Sequence, residues 1–243
     1  MKTKKKQAPG KNTTITWLGH SAFLLVSPKG KSLVIDPWLK NPKAPPSALE
    51  IQNADIILIT HGHGDHIGNG VGLATRTGAT VISNYEVSLY FQGQGVTKVQ
   101  GINKSGSVEI DGITVTMVDA THSSGIEVGE HMLAGGDPAG FIIQMENGFT
   151  VYHAGDTGVF GDMKLIAELY HPHVALLPIG GYYTMGPREA AKAAELITPK
   201  FIIGMHYGTF PILKGTPAEL KKHLPKRLKN RLLVLEPGTP VIL

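Results

Sequence analysis

The apolar run Ile56-Ile57-Leu58-Ile59 leads through Thr60 directly into His61-Gly62-His63-Gly64-Asp65-His66. An uninterrupted apolar run of this length reads as a strand buried on both faces. The metal-capable side chains that follow must then sit at the strand's end, where α/β proteins place ligand sites. Burying those groups without partners is costly, roughly 2–7 kcal/mol for each neutral polar group and more for a charge. Gly62 and Gly64 are expected to let the backbone turn sharply so that neighbouring side chains converge. His61 and His63, two apart, suit one ion, while Asp65 and His66 suit a second. The chain contains no cysteine. That excludes disulfides, thiolate metal sites, iron–sulfur clusters and cysteine nucleophiles. Metal must be held by His, Asp, Glu or backbone oxygen.

The elements around this segment read as α/β. Strands are expected over Ile15–Leu18, Ala22–Val26 and Leu33–Ile35, with Pro28-Lys29-Gly30 as a turn and Asn41–Pro46 as a loop. A helix is expected over residues 67–77, then a strand at Val81–Ser83 and a helix at Glu86–Phe91. The pattern restarts near residue 97. Asp111-Gly112 and Glu146-Asn147-Gly148 mark two hairpins. Helix Met163–Tyr170, strand Val174–Leu177, helix Arg188–Ile197 opened by Pro187, and strand Phe201–Met205 follow. A last helix is expected near 217–230 and a terminal hairpin around Pro237-Gly238. Each half thus reads as strands followed by strand–helix units, which suits two mixed sheets packed together with helices outside.

The 243 residues fit one domain over residues 13–243 behind a basic, disordered tail over residues 1–12. That tail carries +5, residues 214–232 carry +6, and the body between carries −6. Basic ends can favour nucleic acid, but no aromatics interleave with these lysines, so solvated ends are the favoured reading and a nucleic-acid partner is not expected. No apolar run approaches the roughly 20 residues a membrane helix needs. No export signal is visible, so a cytoplasmic location without a membrane partner is expected.

Three further strand ends carry metal-capable residues: His122 after Val115–Asp119, His153 and Asp156 after Phe149–Tyr152, and His206 after Phe201–Met205. Combined with the dense His/Asp segment, this ligand order resembles the metallo-β-lactamase superfamily of metal-dependent hydrolases. Within it the chain is similar to the UPF0173 branch, near the ascorbate-6-phosphate lactonases. Trp17-Leu18-Gly19-His20-Ser21, Ile35-Asp36-Pro37, His153-Ala154-Gly155-Asp156-Thr157 and His206-Tyr207-Gly208-Thr209-Phe210-Pro211 carry that similarity. The resemblance runs from about Ile15 onward.

The resemblance implies a four-layer αββα sandwich with metals at one edge of the sheets. It implies that His61, His63 and His122 hold one ion, that Asp65, His66 and His206 hold a second, and that Asp156 bridges them. Zinc is the first expectation for both divalent ions; imidazole and carboxylate also suit manganese, nickel or iron. Two ions about 3.5–4 Å apart share a water and lower its pKa towards about 7, giving a hydroxide nucleophile. Asp65 is also expected to orient that nucleophile. His20 and His131 are candidate proton donors, His131 from the glycine-rich segment Gly125–Gly136. The alternative for each is an ordinary structural or surface histidine. Asp36 is expected either to support the metal loop by hydrogen bonding or to cap a turn.

The implied function is hydrolysis of a small lactone, ester or phosphodiester. A metal-binding regulatory or scaffold protein without hydrolase activity is the competing class, and the complete ligand set argues against it. Self-association into a homo-oligomer is left open.

Overall fold

A computed structural model describes residues 12–243. The expectation of a disordered basic tail falls almost entirely outside the described residues. The first part of the chain contains β1 (Thr14–Trp17), β2 (Phe23–Val26), β3 (Ser32–Ile35), β4 (Ile56–Leu58), α1 (Gly64–Ile67), α2 (Gly70–Thr77), β5 (Thr80–Asn84), α3 (Tyr85–Gly93) and β6 (Val99–Ile102). The rest contains β7 (Ser107–Ile110), β8 (Ile113–Asp119), β9 (Gly125–Val128), β10 (His131–Ala134), β11 (Ala139–Gln144), β12 (Thr150–His153), α4 (Met163–Tyr170) and β13 (Val174–Pro178). It ends with α5 (Pro187–Ile197), β14 (Phe201–Met205), α6 (Pro217–His223), β15 (Leu232–Leu233) and β16 (Pro240–Ile242).

Two seven-stranded mixed sheets result, one in the order β16-β1-β2-β3-β4-β5-β6 and the other β15-β14-β13-β12-β11-β8-β7. The side-chain alternation of the buried strands shows how they stack. Ile56 and Leu58 of β4 join Phe141, Val151 and Leu176 in a core between the sheets. Ile57 and the adjoining Ile59 turn the other way and pack with Leu73 and Phe91 from α2 and α3. In β13, Val174 and Leu176 face the inter-sheet core, while Ala175 and Leu177 face Ile166 and Ala190 of α4 and α5. A strand with an apolar cover on each face needs no polar alternation. The layers are therefore helix, sheet, sheet, helix: the expected αββα sandwich.

Several local expectations need correction. The helix expected over 67–77 breaks at Gly68, where φ is +44°. A Cβ there would collide with the backbone of Pro37 and Trp38. The break lets this turn press on that loop, and Asn69 N donates to Pro37 O at 2.8 Å. The expected glycine-rich loop Gly125–Gly136 is instead the hairpin of β9 and β10. The helix expected near 217–230 stops at His223, because Leu224 precedes Pro225 and is held extended. The expected terminal hairpin does not form. β15 pairs parallel with β14 in one sheet, and β16 pairs antiparallel with β1 in the other. The turn at Gly238 carries the chain across the sandwich and ties its two sheets together.

Among the described residues no helix is long and apolar enough to cross a membrane. Phe141 sits at the centre of the inter-sheet core with 0% exposure. Phe141→Ala is expected to cost about 3–5 kcal/mol, read as a lower midpoint in urea unfolding.

Candidate metal centre

The polar residues gather where ends of both sheets meet. Ala139 N of one sheet donates to Thr60 O of the other at 3.0 Å, and His206 N donates to His20 O, also at 3.0 Å. Three residues at this seam adopt left-handed backbone despite having side chains: His20 (φ +51°), Asp36 (φ +45°) and His206 (φ +54°). Each follows a strand or strand-end turn, and the reversal swings its side chain into the seam. Such backbone costs on the order of 1–3 kcal/mol per residue and persists only where its surroundings hold it. Gly62 works differently from the sharp turn expected of it. Its φ is not positive among the described glycines, but a Cβ would strike Ile126 and the backbone of Gly125. It is needed for the close approach of the β9–β10 hairpin.

Asp36 organises the centre. Its carboxylate, 0% exposed, accepts Thr60 N at 2.8 Å and Thr60 Oγ1 at 2.8 Å. It also accepts His66 Nδ1 at 2.7 Å. Because the Thr60 hydroxyl proton goes to Asp36, His61 Nδ1 donates to Thr60 Oγ1 at 2.9 Å. Both imidazoles are thereby turned so that Nε2 faces the cluster. This bears out the supporting role expected of Asp36.

Three groups of ligand atoms lie within 4.8 Å of one another: His61, His63 and His122; His61, His66 and Asp156; and His20, Asp65, His66 and His206. Asp156 Oδ2 lies 2.9 Å from His206 Nε2, 3.3 Å from His66 Nε2 and 3.7 Å from His122 Nε2. Buried polar atoms are normally satisfied, yet His66 Nε2 and Asp156 Oδ1 are buried without a hydrogen-bond partner. Both belong to the same cluster, which is the donor set expected of a cation site built from imidazole and carboxylate.

The electrostatics agree. Burial opposes ionisation of Asp156, but His206 and His66 outweigh it and hold its carboxyl well below the usual range. Burial likewise opposes a charge on His66, yet Asp156, Asp36 and Asp65 raise its pKa well above the ordinary value. Burial lowers His61, His63 and His122, keeping them neutral. His61, His63 and His122 thus carry the neutral form that ligation requires, whereas the imidazolium favoured at His66 would have to give up its Nε2 proton to a bound cation.

His20 is fully buried and does not line the cavity over the cluster. Burial lowers its pKa to about 4, against the raising effect of Asp65. The neutral ring donates from Nε2 to Asp65 Oδ2 at 3.0 Å and accepts the Thr209 hydroxyl at Nδ1, 2.6 Å away. Both nitrogens are committed, so His20 holds Asp65 and is not placed to deliver a proton to a substrate. His131 is exposed at the start of β10 and does not line the cavity either. Its hairpin reaches the site through Glu127.

The cavity has a volume of about 670 Å3 and exposes His63, Asp65, His122, Asp156 and His206. Sequence reasoning missed Trp38, Ser123, Glu127 and Tyr183 on its walls. None carries a spacing signal, since each arrives from a different loop or hairpin. Phe210 lies in the Tyr207–Pro211 segment singled out by the resemblance and does line it. Tyr207 instead stacks on Trp17, with centroids 5.0 Å apart.

Asp36→Asn keeps every candidate ligand but weakens the hold on His61 and His66. It is expected to lower metal affinity about 10–100-fold, measured by competition with a chromophoric chelator. His153 lies beside the cluster, fully buried, with Nε2 donating to Ser21 O at 3.0 Å and Nδ1 accepting Gly155 N at 3.1 Å. Burial lowers its pKa, against smaller raising effects of Asp36 and Ser21. Below about pH 6.5 the unfolded chain therefore binds a proton here that the folded chain does not, and stability falls with pH. His153→Gln is expected to make urea unfolding less acid-sensitive between pH 7 and 5.5, by up to about one proton of difference.

The sequence matches the family profile described as "Beta-lactamase superfamily domain" over residues 14–206. A UPF0173 metal-dependent hydrolase of Herpetosiphon aurantiacus is 51% identical over 232 residues, covering 93% of this chain and 96% of the relative. Another, from Methanosarcina mazei, is 48% identical over 228 residues, covering 93% and 97%. The solved structure of a metallo hydrolase from the archaeon Ignicoccus hospitalis superposes with a TM-score of 0.85 at 38% identity, covering 95% of this chain and 97% of that one. With its sandwich fold and its cluster at the seam of the sheets, this chain belongs to the UPF0173 metal-dependent hydrolases of the β-lactamase superfamily.

Proposed function

We propose that this protein hydrolyses a small lactone, ester or phosphodiester at two divalent ions. His61, His63 and His122 would hold one, Asp65, His66 and His206 the other, with Asp156 between them. Zinc is the leading candidate, with manganese, nickel or iron as alternatives compatible with the same donors. The observation that carries this reading is the pair of unpartnered buried atoms, His66 Nε2 and Asp156 Oδ1, inside one cluster. When bound, such ions activate a water and polarise the bond to be cleaved.

The chain's own groups divide the remaining work. Asp65 lines the cavity. Burial opposes its ionisation, but His66 and His20 outweigh that and keep it ionised. Its role in this reading is to orient the attacking nucleophile. His20 and Thr209 keep that carboxylate aimed. Asp36 and Thr60 hold His61 and His66 in one tautomer and orientation. No serine nucleophile is needed. The substrate in this reading is a small molecule.

Three substrates, one each of lactone, carboxylic ester and phosphate diester, offered to metal-loaded protein provide the test. Chelation followed by metal-free dialysis is expected to abolish turnover, and adding metal back to restore it. His63→Ala and Asp156→Ala are expected to lose metal by elemental analysis and to lose activity beyond the about 10–100-fold typical of supporting partners. Full activity in the chelated protein would sink the mechanism.

A further inference from the structure

The cavity's lining is mixed in chemistry. Trp38 and Phe210 stack, with ring centroids 5.6 Å apart and planes 24° from parallel. Both are half-buried and line the cavity. The pair is braced from behind by His20, whose ring meets Trp38 edge-on at 5.1 Å and Phe210 at 5.7 Å. The same His20 ring lies 3.9 Å from that of His206. The aromatic wall is thus anchored directly to the candidate metal cluster. Trp38 is held from the other direction by the break at Gly68, whose lack of a Cβ lets the turn touch Trp38 backbone. Tyr183, 55% exposed, adds a third aromatic ring at the mouth.

Ser123 and the carboxylate of Glu127 also line the cavity, beside His63. With Asp65 and Asp156 below, the acids lining the cavity meet no Lys or Arg side chain among the described lining residues. An anionic substrate would gain from bound ions but would face Glu127 at the rim, whereas like charges brought together oppose binding. A flat, uncharged group gains from the prebuilt aromatic wall without having to order it first.

We propose that the substrate is an uncharged carboxylic ester or lactone whose flat apolar part lies on the Trp38–Phe210 wall while its carbonyl faces the His/Asp cluster. This rests on the hydrolase reading above and chooses among its substrate classes. Trp38 and Phe210 are specificity residues, and Glu127 disfavours anions.

Ethyl phenylacetate and ethyl acetate share a leaving group, so their comparison isolates the aromatic seat. Metal-loaded full-length protein is expected to favour the phenyl ester by about tenfold in kcat/KM. Methyl phenyl phosphate, aromatic but anionic, is expected to be the poorest of the three. Trp38→Ala is expected to raise KM for the phenyl ester and collapse the preference, with metal content retained, and Trp38→Phe to keep most of it. Glu127→Lys is expected to improve the phosphate diester relative to the phenyl ester.

Binding gives a readout independent of turnover. The chain has two tryptophans; Trp17 is 1% exposed and Trp38 faces the cavity. Phenylacetamide is expected to perturb tryptophan fluorescence in the parent protein but not in Trp38→Phe, and acetamide in neither. Ester turnover without phenyl preference and without this signal would overturn the aromatic seat while leaving the hydrolase reading intact. The fluorescence signal with no turnover of any of the three compounds would overturn the hydrolase reading and support the seat as a binding site. A phosphate diester better than the phenyl ester would overturn the uncharged class.

Discussion

The buried carboxylate of Asp36 is the contact on which the centre depends. It takes a backbone N–H and a hydroxyl from Thr60 and the Nδ1 proton of His66. Through the Thr60 hydroxyl it also sets the direction of His61. One side chain thereby aims two imidazoles that meet in one candidate ligand group with Asp156 and each take part in a further one. A carboxylate with 0% exposure would be costly alone, because charges buried without compensation are strongly disfavoured. Here both of its oxygens are hydrogen-bonded. Its left-handed backbone places it at the end of β3, directly beside the end of β4, and parallel pairing of those two strands keeps it there.

The same economy governs the seam between the sheets. Neighbouring strand ends deliver His61, His153 and His206 to one edge, while two inter-sheet backbone hydrogen bonds clamp that edge shut. The apolar core beneath is continuous from β4 to β13. It provides the rigid support that a cluster of mutually close charges requires. β15 and β16 close opposite sheets after the last helix, so the end of the described chain reinforces the sandwich that carries the site. The centre is thus electrostatically costly by itself and stable through its surroundings.

His20 joins the candidate centre to the cavity's aromatic pair. Its nitrogens are occupied by Asp65 and Thr209, and its ring faces Trp38 and Phe210. The Asp65 carboxylate and the Trp38–Phe210 pair therefore share one brace. A change in that brace moves both together. The β9–β10 hairpin supplies Glu127 to the cavity and is attached by the tight approach at Gly62 and by Ser124 Oγ accepting Gly62 N at 3.0 Å.

Much of this was legible in the chain itself. The continuous apolar runs at β4 and β13 announced strands covered on both faces, and the helix Met163–Tyr170 and strand Phe201–Met205 lie at the bounds that periodicity assigns. The His61–His66 segment announced metal chemistry, because so many polar ligands at a buried strand end have few other partners. Resemblance ordered the distant ligands and implied the sandwich. Local signals failed where the outcome depends on what a segment meets in space. Gly68 breaks a helix because it abuts Trp38, the segment around Gly238 crosses between sheets because β1 offers a free edge, and His20 became a brace because Thr209 and Asp65 occupy both its nitrogens. By itself the sequence determined the buried strands, the candidate donor types and, through its motifs, the family resemblance, since hydrophobic period and donor chemistry are carried residue by residue. Only the tertiary structure decided which histidine faces which partner and what lines the cavity, because those contacts join residues far apart in the chain whose directions no spacing encodes.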